Sequence, residues 1–438
     1  MIVPTAAATE GSPVPAAKRA HEGSTPARQA KAVADGVDVR VVTPKRMKRS
    51  SEDTLISFHP NFREPSRLLA IVLAGLLCLG GVTFAQDDAQ GDEEGSPDVA
   101  TLISDGQFYL DRGDCSLAQF YFQEALRLDE SSADALVGKG RALSCLGAYP
   151  AAIEAFQAAL QGQPDHLQAL VHLANTYQYQ FQADPTAYSG RLADALDTIQ
   201  RAEQLSTNDA RVQNTKGIVL YQLGDLQQAR ETLEQAATLA AGSQELDNAE
   251  KSTVQVNLGR VYRDLDELEL AQQAFRRAVI LDPASATAHN NLGDVSYRLD
   301  DCSTAQYELA QAVNLDPTSL SAAANLGIVL FECGDVQGSL SRLEQAVQMD
   351  GAVFLPPLFT YLARAYLETG QIDEAIRRAQ HGALLAEPPS ADAYYWLGQA
   401  YQRRGSQGDS QRARDAYERA LEIDQSYAAA SEALRTLQ

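Results

Sequence analysis

A spacing of small residues constrains this chain more than any other feature. A small residue recurs at Gly106, Gly140, Ala174, Gly217, Gly259, Gly293, Gly327, Ala363 and Gly398. Each is followed by a second small residue, usually twelve positions on, and by a third seven further on; Gly259, Ala271 and Ala278 are one such set. Ser339 and Gly382 are the only places in the later two columns where Ala is replaced. Small side chains at fixed intervals let neighbouring helix backbones approach closely. A large apolar residue usually sits between the last two positions, as Phe122, Phe156, Ile199, Leu233, Phe275, Leu309, Leu343 or Tyr417. In the eighth set that place is held by Ala379.

Turn signals fall in step with this spacing. Gly113-Asp114, Gly147, Gly224-Asp225, Gly334-Asp335 and Gly370 predict the end of one helix, because Gly takes the left-handed conformation that closes a helix. Pro164, Pro283 and Pro317 predict the end of the next. A 438-residue chain could hold about three domains, but a sustained internal period argues instead for a repeat array. Aromatic residues make up only 7%, which favours helices over a strand-rich fold.

The segment NNLGDVSYRLDDCSTAQYELAQAVNLDP (290–317) resembles the tetratricopeptide repeat almost throughout, and YYWLGQAYQ (394–402) resembles its first half. The resemblance covers units 99–132, 133–166, 167–209, 210–243, 252–285, 286–319, 320–353, 356–389 and 391–427. It implies an all-α fold, a right-handed superhelical solenoid of nine helix–turn–helix repeats with a concave groove. Residues 428–438 suit a short capping helix, because the ends of a solenoid need a polar cover. Three places depart from the pattern: extra residues near 180–190, extra residues near 405–410, and eight residues between the fourth and fifth units. Extended turns of this kind are tolerated surface insertions or contact sites.

The front of the chain reads as an address. Residues 1–67 carry 11 Lys/Arg against 7 Asp/Glu, whereas the remainder carries 25 against 51. Between them lies LLAIVLAGLLCLGGVTFA (68–85), which has no charge. A basic flank, an apolar core and a small residue before a polar stretch describe a secretory signal, cut between Ala85 and Gln86. The alternative is an uncleaved anchor, since eighteen residues are at the short edge of a membrane span. Either reading places the repeats outside the cytoplasm, in the periplasm or an equivalent extracytoplasmic space. Residues 1–46 read as disordered, and Met47 is an alternative start. Residues 86–98 read as an acidic flexible linker.

The net charge of −22 disfavours nucleic acid as a partner, since binding phosphates needs a basic surface. No HExxH, Cys-x-x-Cys or Gly-rich phosphate loop is present. The expectation is a non-enzymatic chain with no cofactor and no metal, whose partners are proteins or peptides. Membrane association would run through residues 68–85.

In the resembled family the first helix of each unit lines the groove, where partner helices or extended peptides bind. Asn257, Asn291 and Asn325 occupy one register position in three consecutive units. An amide offers both a donor and an acceptor to a peptide backbone. The arrangement resembles the asparagine ladder of O-linked N-acetylglucosamine transferases. Arg260, Arg263, Arg298 and Arg364 are expected on the same side, where they could capture carboxylates. These features predict an extracytoplasmic scaffold for protein–protein interactions. The alternative is a chaperone-like carrier of extended clients during export.

Four cysteines fall at helix ends. Cys115 and Cys302 open second helices; Cys145 and Cys333 close the first helices of the next units. Each pair lies on one edge of the solenoid, which predicts disulfides Cys115–Cys145 and Cys302–Cys333 and an oxidising compartment. Buried free thiols are the other reading.

Overall fold

Several turns within helix pairs are built from two residues with opposite tasks. Gly113, Gly147, Gly224, Gly334 and Gly370 adopt positive φ and stop the first helix. After three of them comes an Asp whose side chain accepts a bond from the backbone of the second helix: Asp114 from Leu117, Asp225 from Gln228 and Asp335 from Gly338. In the fifth and sixth units an Asp stands in place of the glycine. There Asp266 and Asp300 take the left-handed conformation instead, at a steric cost glycine does not carry. Sequence reasoning missed these two stops because it looked for Gly. Where a proline follows, the second helix ends two residues earlier, at Gly162, Leu281 and Leu315.

The computed structural model describes residues 98–349, 351–352, 355–385 and 389–437. All of them lie in the compact unit Val37–Gln438. The lead, the apolar segment 68–85, the Ala85–Gln86 junction and the linker up to residue 97 lie outside the described residues.

Among the described residues there are nineteen helices and no strand. They pair as α1 (Val99–Asp111) with α2 (Cys115–Leu128), α3 (Ala133–Cys145) with α4 (Tyr149–Gly162), and α5 (Leu167–Ala183) with α6 (Arg191–Leu205). Next come α7 (Ala210–Gln222) with α8 (Leu226–Gly242), α9 (Asn248–Asp264) with α10 (Leu268–Leu281), and α11 (Ala286–Arg298) with α12 (Cys302–Leu315). The last pairs are α13 (Leu320–Glu332) with α14 (Val336–Ala346), α15 (Pro356–Glu368) with α16 (Ile372–Leu385), and α17 (Ala391–Arg404) with α18 (Asp409–Ile423). A short closing helix, α19 (Ala428–Thr436), follows and buries Ala430 and Ala433.

Each helix packs on the next in the chain, and each first helix also packs on the first helix of the following unit. Second helices of successive units make no comparable contact. The first helices therefore form an inner layer and the second helices an outer one.

The small residues act as the spacing implied. A methyl placed on Gly259 would stand 2.6 Å from the Phe275 ring, and one on Gly140 2.6 Å from Phe156. Both rings are fully buried, so the glycines are the floor on which the large side chains rest. In the eighth unit both places are held by fully buried alanines, Ala363 and Ala379.

The insertions lengthen helices as well as turns. The extra residues near 180–190 lengthen α5 to 17 residues and widen the turn that follows to residues 184–190. The eight residues between the fourth and fifth units lengthen α8 and α9 to 17 residues each. The first helix of the fifth unit thus starts at Asn248, capped by a reciprocal Asp247–Glu250 box, which adds stability at a helix start.

Candidate functional site

The inner layer carries the predicted site residues, and most of them are already engaged. Asn257 donates to Asn214 Oδ1 at 3.0 Å, and Asn325 donates to Asn290 Oδ1 at 3.1 Å. Asn291 donates to the Thr287 carbonyl on its own helix at 2.9 Å. All three amides are buried. They bond to neighbouring helices or to their own, and do not stand as an open row.

The arginines follow the same logic. Arg263 is 5% exposed and lies between Asp264 at 3.1 Å and Asp294 at 3.5 Å. Its guanidinium also approaches Asn291 Oδ1 at 3.4 Å. Burial opposes its charge, but the two carboxylates outweigh that effect and raise its pKa. Asp294 meets Arg298 as well, at 3.3 Å, and Asp264 accepts from the Tyr221 hydroxyl at 2.7 Å. Arg260 is half-buried and lies over the Tyr221 ring, 5.2 Å from its centroid. A chain of alternating charge thus runs along the inner ends of α7, α9 and α11.

Towards the C-terminus the inner layer becomes aromatic. Arg364 pairs with Glu332 at 2.8 Å. It lies over Phe331, Tyr361 and Trp396, at 4.6, 4.6 and 4.9 Å from their centroids. Such stacking suits a planar guanidinium. Trp396 is half-buried and donates to Asp392 Oδ1 at 3.1 Å. The cluster closes the inner side of α15, where every residue from Leu358 to Leu367 is buried.

The residues that pair across units stand 28 to 43 positions apart. Sequence reasoning identified several members by register but not their pairing. Asn214, Asn290, Asp264, Asp294 and Glu332 were missed altogether. The signal available was a carboxylate or amide one unit away from Asn257, Asn325, Arg263 and Arg364.

The sulfurs of Cys115 and Cys145 are bonded, with Cα atoms 6.0 Å apart, and those of Cys302 and Cys333 likewise at 5.9 Å. The first bond ties α2 to α3 and the second ties α12 to the end of α13.

Two histidines of the first helices show opposite tendencies. Burial, reinforced by Arg141 and Arg211, pushes His172 down to about 3. His289 is buried with acceptors on both ring nitrogens: Glu308 Oε2 lies 2.6 Å from Nδ1, and the Pro283 carbonyl lies 3.1 Å from Nε2. Only the imidazolium can donate to both. The Glu308 bond therefore raises the His289 pKa against the effect of burial. A raised folded-state value means that its stabilisation is complete below the unfolded value of about 6.5 and is lost as pH rises through the folded value. The melting temperature should fall over that interval, and His289→Gln should flatten the fall. A scan of melting temperature against pH, at fixed salt, checks this; an identical slope in the variant contradicts it.

Among the described residues no group of three or more His, Cys, Asp or Glu side chains could hold a metal ion. No described helix is long and apolar enough to cross a membrane.

Family models described as tetratricopeptide repeats match residues 208–279, 106–166 and 362–428, and one described as TPR repeat matches 259–300. Together they span about half of the chain, which belongs to the tetratricopeptide-repeat family. The anaphase-promoting complex subunit CDC16 of Saccharomyces cerevisiae is 27% identical over 185 residues, covering 40% of this chain and 20% of that protein. The protein CTR9 homolog of Arabidopsis thaliana is 30% identical over 120 residues, covering 27% and 10%. The chain thus spans a fifth or less of the length of these curated relatives. A solved thermophilic TPR protein of Thermus thermophilus is 20% identical, covering 45% of this chain and 99% of its own, with a TM-score of 0.41. The APC/C hetero-tetramer Cut9–Hcn1 is 13% identical, covering 78% and 90%, with a TM-score of 0.45.

Proposed function

We propose that this chain is a non-enzymatic scaffold that binds protein partners along its inner layer of first helices, outside the cytoplasm. The observation that carries the reading is the continuity of that layer. Each first helix touches the next from α1 to α17, and the disulfides and ion pairs fix neighbouring units to one another. A pre-ordered surface loses less conformational freedom when a partner docks. The half-buried Arg260 and Asn290 are the polar groups that a partner peptide or helix would meet in the middle of that surface.

The extracytoplasmic placement rests on the apolar segment 68–85 with its basic flank and on the two disulfides. Disulfides persist in oxidising compartments. A carrier of extended clients is the weaker reading, because it relies on the amides of Asn257, Asn291 and Asn325, which are buried in bonds within the chain. The test is a photo-crosslinking side chain placed at Arg260 or Asn290 in the inner layer, or at the exposed Arg277 on the outer helix α10. Protein adducts are expected from the inner positions.

A further inference from the structure

The eighth and ninth units carry a second surface, formed by the second helices α16 and α18 with the C-terminal end of the first helix α17. The first-to-second-helix turn of the ninth unit is extended, with Gly405 and Gly408 both at positive φ. Between residues 403 and 414 the sequence holds Arg403, Arg404, Arg412 and Arg414 against the single acidic residue Asp409. This is a local excess of positive charge in a chain whose net charge is −22.

A cleft of 540 Å³ lies between α16, α17 and α18, lined by Asp373, Ile376, Arg377, Gln380, Tyr401, Arg404 and Arg412. Its base is organised by a fully buried carboxylate. Asp409 accepts two bonds from Arg404, at 2.7 and 2.8 Å, one from Arg412 at 3.0 Å, and one from the Ser406 backbone at 3.1 Å. That pairing aims both guanidinium groups across the Tyr401 ring, 5.6 and 5.9 Å from its centroid.

Donors remain on the cleft wall. Arg412 gives one of its five N–H groups to Asp409, and Arg377 gives one to Glu374. Both side chains are more than half exposed. The Tyr401 hydroxyl accepts from Gln380 Nε2 at 2.8 Å, so its own hydrogen is available to an acceptor. Asp373 is the opposing group: it is 80% exposed and bonded to Arg404 at 3.0 Å, where an incoming carboxylate can take its place.

We infer that this cleft docks an acidic peptide segment, with adjacent carboxylates of the partner bridging Arg377 and Arg412 over Tyr401. Forked guanidinium groups match carboxylates in pairs, and the net acidic charge of the repeat array (25 Lys/Arg against 51 Asp/Glu after residue 67) disfavours such a segment over most of its surface. The lining shares no residue with the inner positions Arg260 and Asn290, so the scaffold would hold two partners at once.

The test uses the full chain and a fluorescent Asp-Asp-Glu-Glu peptide, with Asn-Asn-Gln-Gln as its neutral counterpart. Saturable binding of the acidic peptide alone is expected, weakened by added salt. The double variant Arg377→Ala/Arg412→Ala should weaken it about tenfold or more. Arg127→Ala, at an exposed position on α2, should leave it unchanged. Tyr401→Phe should weaken it while helix content stays constant. Binding that is equal in the double variant, absent up to about 1 mM, or replaced by binding of a single-stranded oligonucleotide overturns the assignment.

Discussion

Replacing Cys302 and Cys333 by serine lowers the free energy of unfolding by about 3–4 kcal/mol, the chain-entropy value for a loop of roughly thirty residues. The bond closes 31 residues of sequence across two adjacent units, so its loss frees the unfolded chain without removing any core side chain. A solenoid is held together by nearest-neighbour contacts. The weakening should therefore be local, with faster amide exchange in α12 and α13 and little change in α4 to α6. Chemical denaturation followed by helix signal, with exchange read helix by helix, makes the measurement. A change within about 0.5 kcal/mol, the range of an ordinary surface substitution, contradicts the prediction. Alkylation after rapid acid quenching of the host cells gives the companion result. Cys115, Cys145, Cys302 and Cys333 should be blocked in the native chain, and four reactive thiols there would argue against export.

Arg263→Met has an effect of similar size for a different reason. The substitution keeps the apolar stem but removes the one cation that Asp264 and Asp294 share. Those carboxylates are 8% and 3% exposed. Asp294 keeps Arg298 and Asp264 keeps Tyr221, so neither is wholly abandoned, yet Asp264 loses the cation at 3.1 Å and Asp294 loses one of its two. Breaking a buried pair by deleting one partner costs about 3–5 kcal/mol. Arg263→Lys should lie between the two, since an ammonium cannot reproduce the planar fork. Adding Asp294→Asn to Arg263→Met should recover part of the loss, because the buried charge goes with its partner. A loss under about 1 kcal/mol for Arg263→Met, the range of an exposed pair, would show that the inner charges are solvated.

The fold was legible because its determinants are local. Gly259 and Phe275 lie sixteen residues apart within one helix pair, so a single repeat shows both the close approach and the side chain that needs it. The turns were legible where Gly supplied the left-handed residue. They were hidden at Asp266 and Asp300, where an acidic side chain does the same work. The inner layer was legible only as a face. Whether Asn325 offers its amide to a partner or bonds to Asn290 depends on the distance between two first helices of adjacent units, and no single repeat encodes that distance. The Arg377–Arg412 cleft was out of reach for the same reason. Its walls come from two units and its base from a buried Asp that the sequence shows only as one more acidic residue.

The measurement that tests the account most directly is in-cell photo-crosslinking across the two layers of the full chain. Arg260 and Asn290 sample the inner layer, and Arg277 samples the outer one at the same height. The account predicts discrete protein adducts from both inner positions and none from Arg277. Adducts from Arg277 alone, or none from any position, would contradict a scaffold that works through its first helices.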